Sequence, residues 1–489
     1  MEKLSERFRF LFDLSLDSNL ALLYPKEVHF GEIRKGAWSV CKKLSNAKVP
    51  QGAKVMLLLK KGKEFCIGFF GTLLHGALPV LIDPEDDMLI REYVSKIEFA
   101  ITTHDLSSNA LKLISPEKII IIDDKELETK IESEDRYWGY ENPFCVLLTS
   151  GSTGKPKEVI KTFGNIFFEL EILWNCIHKT TSSDSYLCAV PWIHIYGFLN
   201  GFLMPLIYGA RVSFPSSFFP AEIEKVLDFA TVFVGVPVQY KALIETGSLN
   251  AKKLRLALSS GAKLPHKIAS KFMESAGIPI TDIYGSTEMG GVATRKSPLE
   301  ESWKPLSGVE WKSGEDGELL VRSPFVAKWC GEKTDIDDSW NCSMTPPSPA
   351  DRHTTPTTTS FWFPSGDYIE TDSEGRFFLK GRKKEIIKVG GRRVSSTEIE
   401  NAILKTEVVK DVAVIPIWDE KSACEKIGAC VVFYEGKGLN ENLLKKLLKE
   451  YLPIYKIPDR IAIVEKIPRN KTGKVNLNEI EKLLIKEGK

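Results

Sequence analysis

The sequence predicts an α/β protein with a large N-terminal region of layered β-sheets covered by helices, followed by a smaller C-terminal domain. Three observations support this prediction. The chain has 489 residues, which is enough for several folding units at roughly 100–200 residues per domain. Short apolar runs without polar alternation recur between helical segments, as in sheets covered on both faces. The balance of charge also changes near residue 381.

Four apolar runs are the strand candidates, at residues 54–59, 78–82, 118–122 and 144–148. The first two flank a Gly-rich segment that we interpret as a helix. Apolar runs of strand length that alternate with helices are typical of βαβ units. Several such units give a layered α/β architecture.

Two longer apolar stretches, residues 65–82 and 192–210, approach the length of a membrane span. A spanning helix needs about 20 mostly apolar residues. Both stretches contain a histidine and a proline, and the first also contains three glycines. We therefore predict buried helices that feed buried strands, and no membrane span.

The first eight residues are charged and lack an apolar signal core, so we expect a protein that is not secreted. Nine cysteines are scattered along the chain without a CxxC pair, which favours a reducing, cytoplasmic compartment. No spacing typical of metal ligands and no Ser-His-Asp arrangement stands out. The net charge of +1 argues against a protein that coats nucleic acid.

Charge and composition predict the domain limits. Residues 381–489 carry 23 Lys and Arg against 16 Asp and Glu, whereas residues 1–380 are net acidic. We therefore predict domains at 1–380 and 381–489. The basic domain suits phosphates or an acidic protein, although solvated helix faces such as 442–449 explain part of the excess. Residues 334–360 form a Pro- and Thr-rich insert with few apolar residues, which is typical of a surface loop.

A loop rich in glycine and hydroxyl groups follows the apolar run 144–148. Its backbone N–H groups could form a concavity for phosphate oxygens, with hydroxyls and lysine adding donors and charge. The spacing is not that of a Walker motif. A flexible Gly/Ser linker is the alternative, but the preceding strand and the closing lysine favour phosphate binding. The residues concerned are Thr149, Ser150, Gly151, Ser152, Thr153, Gly154 and Lys157.

Together with six further motifs, this loop resembles the adenylate-forming superfamily of acyl-CoA synthetases, peptide-synthetase adenylation domains and luciferases. The motifs follow the family's order over more than 300 residues. They are PWIHIYG at 191–197, SSGAKLP at 259–265, YGSTE at 284–288, SGD at 365–367, GRKKEIIK at 381–388 and PRNKTGK at 468–474.

One departure and one finer likeness accompany the resemblance. Glu158 stands where the family usually has glycine, beside the phosphate loop. A carboxylate there is unfavourable unless it points away. Residues 160–162, 194–197 and 289–293 look most like a shorter branch that includes ligases acting on CoA or on carrier proteins.

The resemblance implies activation of a carboxylic acid. The acid attacks the α-phosphorus of ATP to give an acyl-adenylate and pyrophosphate, and a thiol then displaces AMP. The implied cofactors are ATP, Mg²⁺ and either CoA or the phosphopantetheine of an acyl carrier protein. Both steps move negative charge, so cations and N–H donors matter more than acid–base groups. The implied fold adds a small, mobile α+β lid at the C-terminal end.

The implied nucleotide site includes the phosphate loop and three further motifs. Glu288 would hold Mg²⁺ on the ATP phosphates, because a hard cation prefers carboxylate oxygen. Thr287 would hydrogen-bond the α-phosphate, and Tyr284 would stack on adenine. The alternatives are a surface carboxylate at 288 and a core tyrosine at 284. The other implied members on this side are Gly261, Ala262 and Gly285.

The resemblance also assigns residues near the ribose. Asp367 would accept both ribose hydroxyls, since a carboxylate has two acceptor oxygens for a diol. Arg382 would support the ribose as a fixed donor. A turn-capping role for Asp367 and a surface charge at Arg382 are the alternatives.

Besides Arg382, five residues of the basic domain carry implied roles. Lys474 would neutralise the α-phosphate and the substrate carboxylate during adenylation. Rotation about Lys384 would then withdraw it and bring a thiol-side face forward. Lys388 belongs to that face, and Gly390 and Gly391 would let a pantetheine arm approach closely. A solvated lysine and a simple β-turn are the alternatives.

The implied acyl pocket is apolar. Tyr196, Val236, Met289 and Gly290 would line it, and the lack of bulk after the YGSTE motif suggests room for an aryl or medium acyl group. His194 would be a gate between this pocket and the thiol tunnel, with a core histidine as the alternative.

Three functions remain open from the sequence. The first is an ATP-dependent acid–thiol ligase of the acyl-CoA synthetase type, which uses CoA. The second loads an acyl or aryl group onto a carrier protein instead. The third is a nucleotide-binding protein without catalysis, which the presence of Lys474, Glu288 and Asp367 disfavours.

Overall fold

The structure is a computed structural model. It describes residues 2–104, 109–122, 137–150, 156–215, 220–247, 249, 251–327, 329–330, 361–382, 386–389, 392–419, 424–434, 440–469 and 475–486. Packing divides the chain into two units, Met1–Glu310 with Val321–Phe363, and Trp311–Leu320 with Pro364–Lys489.

The predicted domain limit at residue 381 falls inside the second unit. Asp367 is paired with Arg382 across two antiparallel strands, so a division between them would separate bonded neighbours. Charge changes at 381, whereas packing places Pro364–Lys489 together with Trp311–Leu320 in the second unit. The limits of the two domains stay a prediction, and the insert at 334–360 lies outside the described residues.

Two sheets form the first unit. Within the described residues, the first sheet has seven strands, with a parallel centre and an antiparallel edge. In spatial order its strands are Trp329–Cys330, Pro156–Thr162, Pro143–Ser150, Leu78–Leu81, Lys54–Leu57, Phe99–Thr103 and Ile119–Ile122.

The second sheet has nine strands in the part of the chain that the structure describes, and its centre is also parallel. In spatial order the strands are Lys304–Pro305, Gly290–Ser297, Ile280–Ser286, Leu256–Ser259, Val232–Gly235, Ser185–Cys188, Arg211–Ser213, Leu20–Tyr24 and Val28–His29. A small ribbon pairs Glu2–Lys3 with Tyr137–Trp138.

Helices alternate with these strands. They are Leu4–Arg7, Phe30–Asn46, Lys63–His75, Asp87–Tyr93, Phe163–Leu173, Ile195–Gly197, Met204–Ile207, Pro220–Leu227, Pro237–Thr246 and His266–Ala276. The segments Trp174–His178 and Phe198–Leu203 are π-helical. Single 3-10 turns lie at Arg9–Leu11, Leu14–Leu16, Val94–Lys96, Asn109–Leu113 and Pro116–Lys118.

Aromatic side chains fill much of the interior of the first unit. The ring centroid of Phe8 lies 5.2 Å from that of Phe70 and 5.5 Å from that of Phe167. Phe69 lies 5.7 Å from Phe144 and 5.3 Å from Phe198, both in edge-on geometry. Each aromatic pair adds about 0.5–1.5 kcal/mol beyond the burial of its area, so this cluster is a large part of the core.

In the part that the structure describes, the second unit combines small sheets with three helices. A four-stranded sheet contains Glu310–Ser313, Glu318–Arg322, Phe363–Thr371 and Phe377–Arg382. Ile386–Val389 pairs with Arg392–Ser395, and a further sheet contains Val409–Asp419, Cys424–Phe433 and Arg460–Ile463. The helices are Ser396–Lys405, Glu441–Leu448 and Leu477–Lys486, with a 3-10 turn at Ile454–Lys456.

The architecture confirms the predicted fold class. The apolar stretch 65–82 becomes the end of a buried helix and a buried strand, as expected, and 192–210 becomes short buried helical segments. Among the described residues, no helix has the length and apolar character needed to cross a membrane. The mobility of the smaller unit stays a prediction.

Candidate active site

Four parallel strands of the second sheet end side by side. They are Ser185–Cys188, Val232–Gly235, Leu256–Ser259 and Ile280–Ser286. In open α/β sheets, ligands bind outside the carboxyl ends of the strands. Predicted site residues follow the first three strands or lie at the end of the fourth, so the fold gathers them along one edge.

Direct contacts tie these strand ends together. The Tyr196 hydroxyl donates to the carbonyl oxygen of Gly235 at 3.0 Å. The Ser260 hydroxyl donates to the carbonyl oxygen of Ile283 at 2.8 Å. Gly261 has a φ of +80°, and a Cβ built on it would lie 3.9 Å from Cγ1 of Val236. The loop with Gly261 therefore lies between the residues predicted for the acid and for adenine.

Tyr284 has a buried support on one side. Its ring centroid lies 5.7 Å from that of Trp303, which is itself buried. The Arg295 guanidinium lies 4.5 Å from the Trp303 centroid and bonds to Asp282 at 2.9 Å. Burial raises the pKa of Asp282, and the nearby Arg295 charge opposes that rise. Tyr284 is half-buried, and adenine stacking on it stays a prediction.

A tight hairpin presents Glu288. The strands Ile280–Ser286 and Gly290–Ser297 pair in antiparallel register, with Ser286 opposite Gly290, so residues 287–289 form the turn. A Cβ on Gly285 would lie 2.2 Å from the carbonyl oxygen of Gly290, so only glycine fits there. The Ala327 N–H donates to the Glu288 carbonyl at 2.7 Å. Thr287 and Glu288 are half-buried at the turn.

This donor set fits Mg²⁺. The ion takes oxygen ligands and is commonly held by one or two carboxylates together with substrate phosphates and waters. The Glu288 carboxylate and the neighbouring Thr287 hydroxyl are such oxygens on one short turn. No cluster of three or more His, Cys, Asp or Glu with metal-binding geometry occurs among the described residues.

Polar groups behind the hairpin were missed by the sequence reasoning. Lys161, Asn165 and Glu169 are all at most 3% exposed, and each contacts backbone atoms near residues 288–291 or 324–326. The sequence does contain a signal that could have identified them, which is a charged residue within an otherwise apolar element. Lys161 follows Val-Ile in a strand, and Glu169 lies in the helix FGNIFFELEIL. Buried charges of this kind are rare and need specific partners.

The strands on either side of the phosphate loop are described, but its centre is not. Thr149 pairs with Lys157 and Ser150 pairs with Pro156, so an antiparallel ribbon leads into and out of the loop. Lys157 is exposed. The predicted residues Gly151, Ser152, Thr153 and Gly154 lie outside the described residues.

The departure at Glu158 has a structural explanation. Its side chain is buried and accepts a hydrogen bond from Nζ of Lys54 at 2.7 Å, within the same sheet. The carboxylate is therefore neutralised by a lysine on another strand. An unpaired carboxylate beside a phosphate loop, the arrangement that would be unfavourable, does not arise.

The residues predicted for the acyl pocket fall into two groups. Tyr196 and Val236 are half-buried at the carboxyl edge, and burial raises the pKa of the Tyr196 phenol. Met289 is 2% exposed, and the space beside Gly290 is already filled, because a Cβ there would lie 2.6 Å from Oε2 of Glu169. Glycine at 290 therefore creates no room on that side, and its part in the pocket stays a prediction.

His194 is exposed and lies directly before the short helix Ile195–Gly197. Its carbonyl oxygen accepts a hydrogen bond from the Phe198 N–H at 2.8 Å. The alternative of a buried core histidine does not hold in this structure. A role as a gate remains a prediction.

In the second unit, Asp367 is 8% exposed and lies on the strand Phe363–Thr371. The Asp367 N–H donates to the Ser365 hydroxyl at 3.0 Å, and the Gly366 N–H donates to Oε1 of Glu318 at 2.9 Å. These bonds fix the turn before the carboxylate. Arg382 is the cross-strand partner of Asp367, and the ribose roles of both residues stay a prediction.

The remaining predicted residues are those of the hinge, the thiol side and the catalytic lysine. Lys384, Gly390, Gly391 and Lys474 lie outside the described residues. Lys388 is on the strand Ile386–Val389 and pairs with Arg393.

The residues that flank 470–474 are described. Arg469 and Val475 form a β-bridge, and the Asn476 N–H donates to the carbonyl oxygen of Pro468 at 2.9 Å. Arg469 also forms an ion pair with Asp411 at 2.9 Å. The residues on either side of 470–474 are therefore paired with each other.

A family model described as AMP-binding enzyme matches residues 19–329, which is more than half of the chain. The chain belongs to the AMP-binding enzyme family. A second model, the AMP-binding enzyme C-terminal domain, matches residues 398–474. The resemblance drawn from the seven motifs is thereby confirmed.

Several relatives of this AMP-binding enzyme are known by sequence. It is 28% identical to malonate–CoA ligase of Arabidopsis thaliana, over 89% of this chain and 78% of the relative. It is 29% identical to 2-succinylbenzoate–CoA ligase of Listeria innocua, over 70% of this chain and 71% of the relative. It is 27% identical to indoleacetate–CoA ligase of Aromatoleum aromaticum, over 71% and 69%.

Solved structures share the fold of this AMP-binding enzyme. ATP-bound MatB from Rhodopseudomonas palustris superposes with a TM-score of 0.84 at 21% identity, over 98% of this chain and 99% of that one. The o-succinylbenzoate CoA synthetase MenE from Bacillus subtilis, in complex with an acyl-adenylate, superposes with a TM-score of 0.82 at 23% identity, over 98% and 99%. At these identities the likeness shows the fold.

Proposed function

We propose that this chain is an ATP-dependent acid–thiol ligase that uses CoA. The acid's carboxylate oxygen bonds to the α-phosphorus of ATP as pyrophosphate leaves. The sulfur of the thiol then bonds to the acyl carbon, AMP leaves with the bridging oxygen, and the thiol proton is released. Curated relatives named as CoA ligases support this proposal.

One observation carries the proposal most directly. At the carboxyl edge of the second sheet, Tyr196, Val236 and Gly261 follow three adjacent strands, and Tyr284 lies near the end of the fourth, which leads into the turn with Glu288. A nucleotide base, a carboxylic acid and a metal-bound phosphate could therefore be bound along one line. Such positioning brings reactants together and lowers the entropic part of the barrier.

The side chains divide the work by charge. Glu288 and the Thr287 hydroxyl would hold Mg²⁺, which neutralises phosphate charge when bound. Asp367 would bond the ribose hydroxyls, and Lys474 would neutralise the oxygens that gain charge as the acid approaches the α-phosphate. Lys384 would be the hinge between the two steps.

The acid is proposed to be hydrophobic or aromatic. The half-buried Tyr196 ring and Val236 present mainly apolar surface at the edge, and their polar atom, the Tyr196 hydroxyl, is already bonded to Gly235. Apolar walls bind apolar acids by removing their surface from water, at about 25 cal/mol per Å². A small acid such as acetate gains little from such a site.

The test is a pooled-acid assay with ATP and Mg²⁺, in which products are identified by mass. The pool contains aromatic and medium-chain acids, together with malonate, 2-succinylbenzoate and indoleacetate, and either CoA or a pantetheinylated carrier protein is offered. We expect pyrophosphate release that depends on the acid and an acyl-CoA product. Acyl-carrier protein without acyl-CoA would replace the proposal with a carrier-loading function. No acid-dependent pyrophosphate release would overturn it in favour of a nucleotide-binding protein.

A matched pair of variants ties that activity to the hairpin. We expect Glu288→Gln to slow acyl-AMP formation by roughly tenfold or more, because a metal oxygen ligand loses its charge. Glu301→Gln removes an exposed carboxylate beyond the same hairpin and should keep the wild-type rate. Equal rates for both variants would contradict the role assigned to Glu288.

A further inference from the structure

We propose that Lys161 and Glu169 are positioning residues that hold the Glu288 turn in register for metal-bound ATP. The inference rests on the proposed function. It concerns a cluster of three residues behind the turn, Lys161, Asn165 and Glu169. They lie on the strand and the helix that follow the phosphate loop, and none of them belongs to the seven motifs.

Lys161 connects the phosphate loop to the turn. It lies on the strand Pro156–Thr162, four residues after Lys157, and its side chain is completely buried. Its ammonium donates to the carbonyl oxygen of Phe325 at 2.7 Å and to that of Glu288 at 3.4 Å. The strand that leaves the phosphate loop is thus bonded to the backbone of the proposed metal ligand.

Glu169 holds the other side of the turn. One carboxylate oxygen accepts the Gly291 N–H at 2.6 Å, and the other accepts no hydrogen bond although it is fully buried. That second oxygen lies 2.6 Å from the place where a Cβ on Gly290 would be. The carboxylate therefore fixes the strand that leaves the turn and fills the space beside Gly290.

Asn165 completes the support. Its side-chain amide donates to the carbonyl oxygens of Pro324 and Val326, at 2.7 and 3.3 Å. The next residue, Ala327, donates its N–H to Glu288. Glu288 is consequently held through its carbonyl by two groups, and neither of these bonds uses its carboxylate.

The energetics favour positioning over a purely structural role. An ion removed from water costs several kcal/mol before its partners offset the loss, and apolar residues would fill this interior at lower cost. Burial raises the pKa of Glu169, while the Lys161 charge and the Gly291 N–H oppose that rise. What the two charges supply is a fixed arrangement of backbone atoms next to the metal ligand, as supporting residues of metal sites do.

The same strand provides a matched control. Glu158 is also buried and charged, but it bonds to Lys54 within the first sheet. Lys161 lies three positions later, and since side chains alternate along a strand it faces the opposite side. Glu158→Gln therefore removes a buried charge from this strand without touching the turn.

The experiment measures ATP binding by calorimetry, with excess Mg²⁺ and with EDTA, on the full chain. We expect Lys161→Met and Glu169→Gln to weaken ATP binding in Mg²⁺ by roughly tenfold, and to change binding in EDTA less than twofold. Glu158→Gln should lower the melting temperature without changing either affinity. Lys161→Arg, which keeps the charge, should restore part of the Mg²⁺ effect.

The outcomes separate the inference from the proposed function. Wild-type protein that does not bind ATP would contradict the proposed function itself. Folded Lys161→Met and Glu169→Gln proteins that bind ATP in Mg²⁺ as wild type does would overturn only the positioning role. The same would follow if Glu158→Gln reduced the Mg²⁺ effect equally. Glu169→Gln keeps the shape of its side chain and is the informative variant if Lys161→Met does not fold.

Discussion

The turn with Glu288 and the residues that flank 470–474 are supported by different kinds of charged contact. In the first unit, the turn is held by Lys161, Glu169 and backbone donors that solvent does not reach. In the second unit, Arg469 and Val475 form a β-bridge and the Asn476 N–H bonds to Pro468, and the charged contact there is the ion pair of Arg469 with Asp411, whose side chains are 35% and 41% exposed. One support lies in the interior of a large sheet domain, and the other is on the surface of a small domain.

The two kinds of anchor differ in strength. Breaking a buried polar contact costs about 1–3 kcal/mol, because the remaining partner is left without water. An exposed ion pair is worth about 0–1 kcal/mol and is screened by salt. The charged contact behind the Glu288 turn is thus of the stronger kind, and the ion pair of Arg469 with Asp411 is of the weaker kind.

The largest expected effect tests whether Lys474 acts only in adenylation. Lys474→Ala should slow acyl-AMP formation by roughly 10²–10³-fold, because a donor to developing charge is removed. ATP binding should change far less, and thiol transfer from supplied acyl-AMP should stay at the wild-type rate. Rapid-quench measurement of both half-reactions, with calorimetry for ATP, checks this.

A parallel loss of ATP binding and rate in Lys474→Ala would break the comparison, since the lysine would then be an ordinary binding group. Lys466→Ala removes an exposed lysine from the same unit and serves as the control. It should leave both half-reactions unchanged.

A smaller expected effect tests a buried polar network of the first unit, that of His178, by its dependence on pH. His178 is fully buried, with Nε2 beside the Asn200 side-chain oxygen at 2.8 Å and Nδ1 beside the Tyr186 hydroxyl at 2.9 Å. Burial lowers its pKa to about 4, with Arg255 adding to the decrease and Asp184 opposing it. Below pH 6.5 the unfolded chain binds a proton at this histidine that the folded chain does not. The free energy of unfolding therefore decreases as the pH is lowered from 6.5 to about 4.

At pH 5 this difference amounts to about 2 kcal/mol, at 1.36 kcal/mol per pKa unit. Urea unfolding followed by tryptophan fluorescence at pH 7 and pH 5 should show a loss that His178→Gln reduces by about that amount. The exposed His266 is the control, and His266→Gln should keep the wild-type pH dependence. An unchanged dependence in His178→Gln would mean that the buried network accepts a proton.

The smallest expected effect tests the exposed ion pair of Arg469 with Asp411 by its dependence on salt concentration. Asp411→Asn removes the partner of Arg469, so we expect acyl-AMP formation to slow about two- to fivefold at low salt. The difference should vanish near 1 M NaCl, where the ion pair is screened. Stopped-flow measurement of pyrophosphate release checks it.

Glu370→Gln breaks another exposed pair of the second unit, that with Lys380, and should leave the rate unchanged. A salt-independent decrease in Asp411→Asn would show that the aspartate acts through structure rather than charge.

Local patterns predicted the elements that do not depend on distant residues. The runs at 54–59, 78–82, 118–122 and 144–148 each contain or lie within a strand, because unbroken apolar runs have to be buried on both faces. The motif at 284–288 was recognised by its resemblance to the family, and its place where a strand ends in a turn came from the structure. Composition and charge predicted two domains with a limit at 381, and packing divides the chain into two units, the second of which contains residue 381.

The support for the site was beyond such patterns. Lys161 and the carbonyl of Phe325 are 164 residues apart, and nothing in either neighbourhood specifies the other. The pairing of Glu158 with Lys54 spans 104 residues in the same way. Contacts of this range arise from the order of strands in a sheet, which a linear sequence of apolar runs leaves undetermined.

The filled space beside Gly290 has a consequence for changing which acid is accepted. With Glu169 and Phe325 against it, position 290 admits no larger residue, so variation there removes function before it alters selectivity. If the proposed acyl pocket is correct, selectivity for the size of the acid is better varied at Val236 or Tyr196, which are half-buried. A library aimed at new substrates should hold the 285–291 hairpin constant and randomise the strand ends beside it.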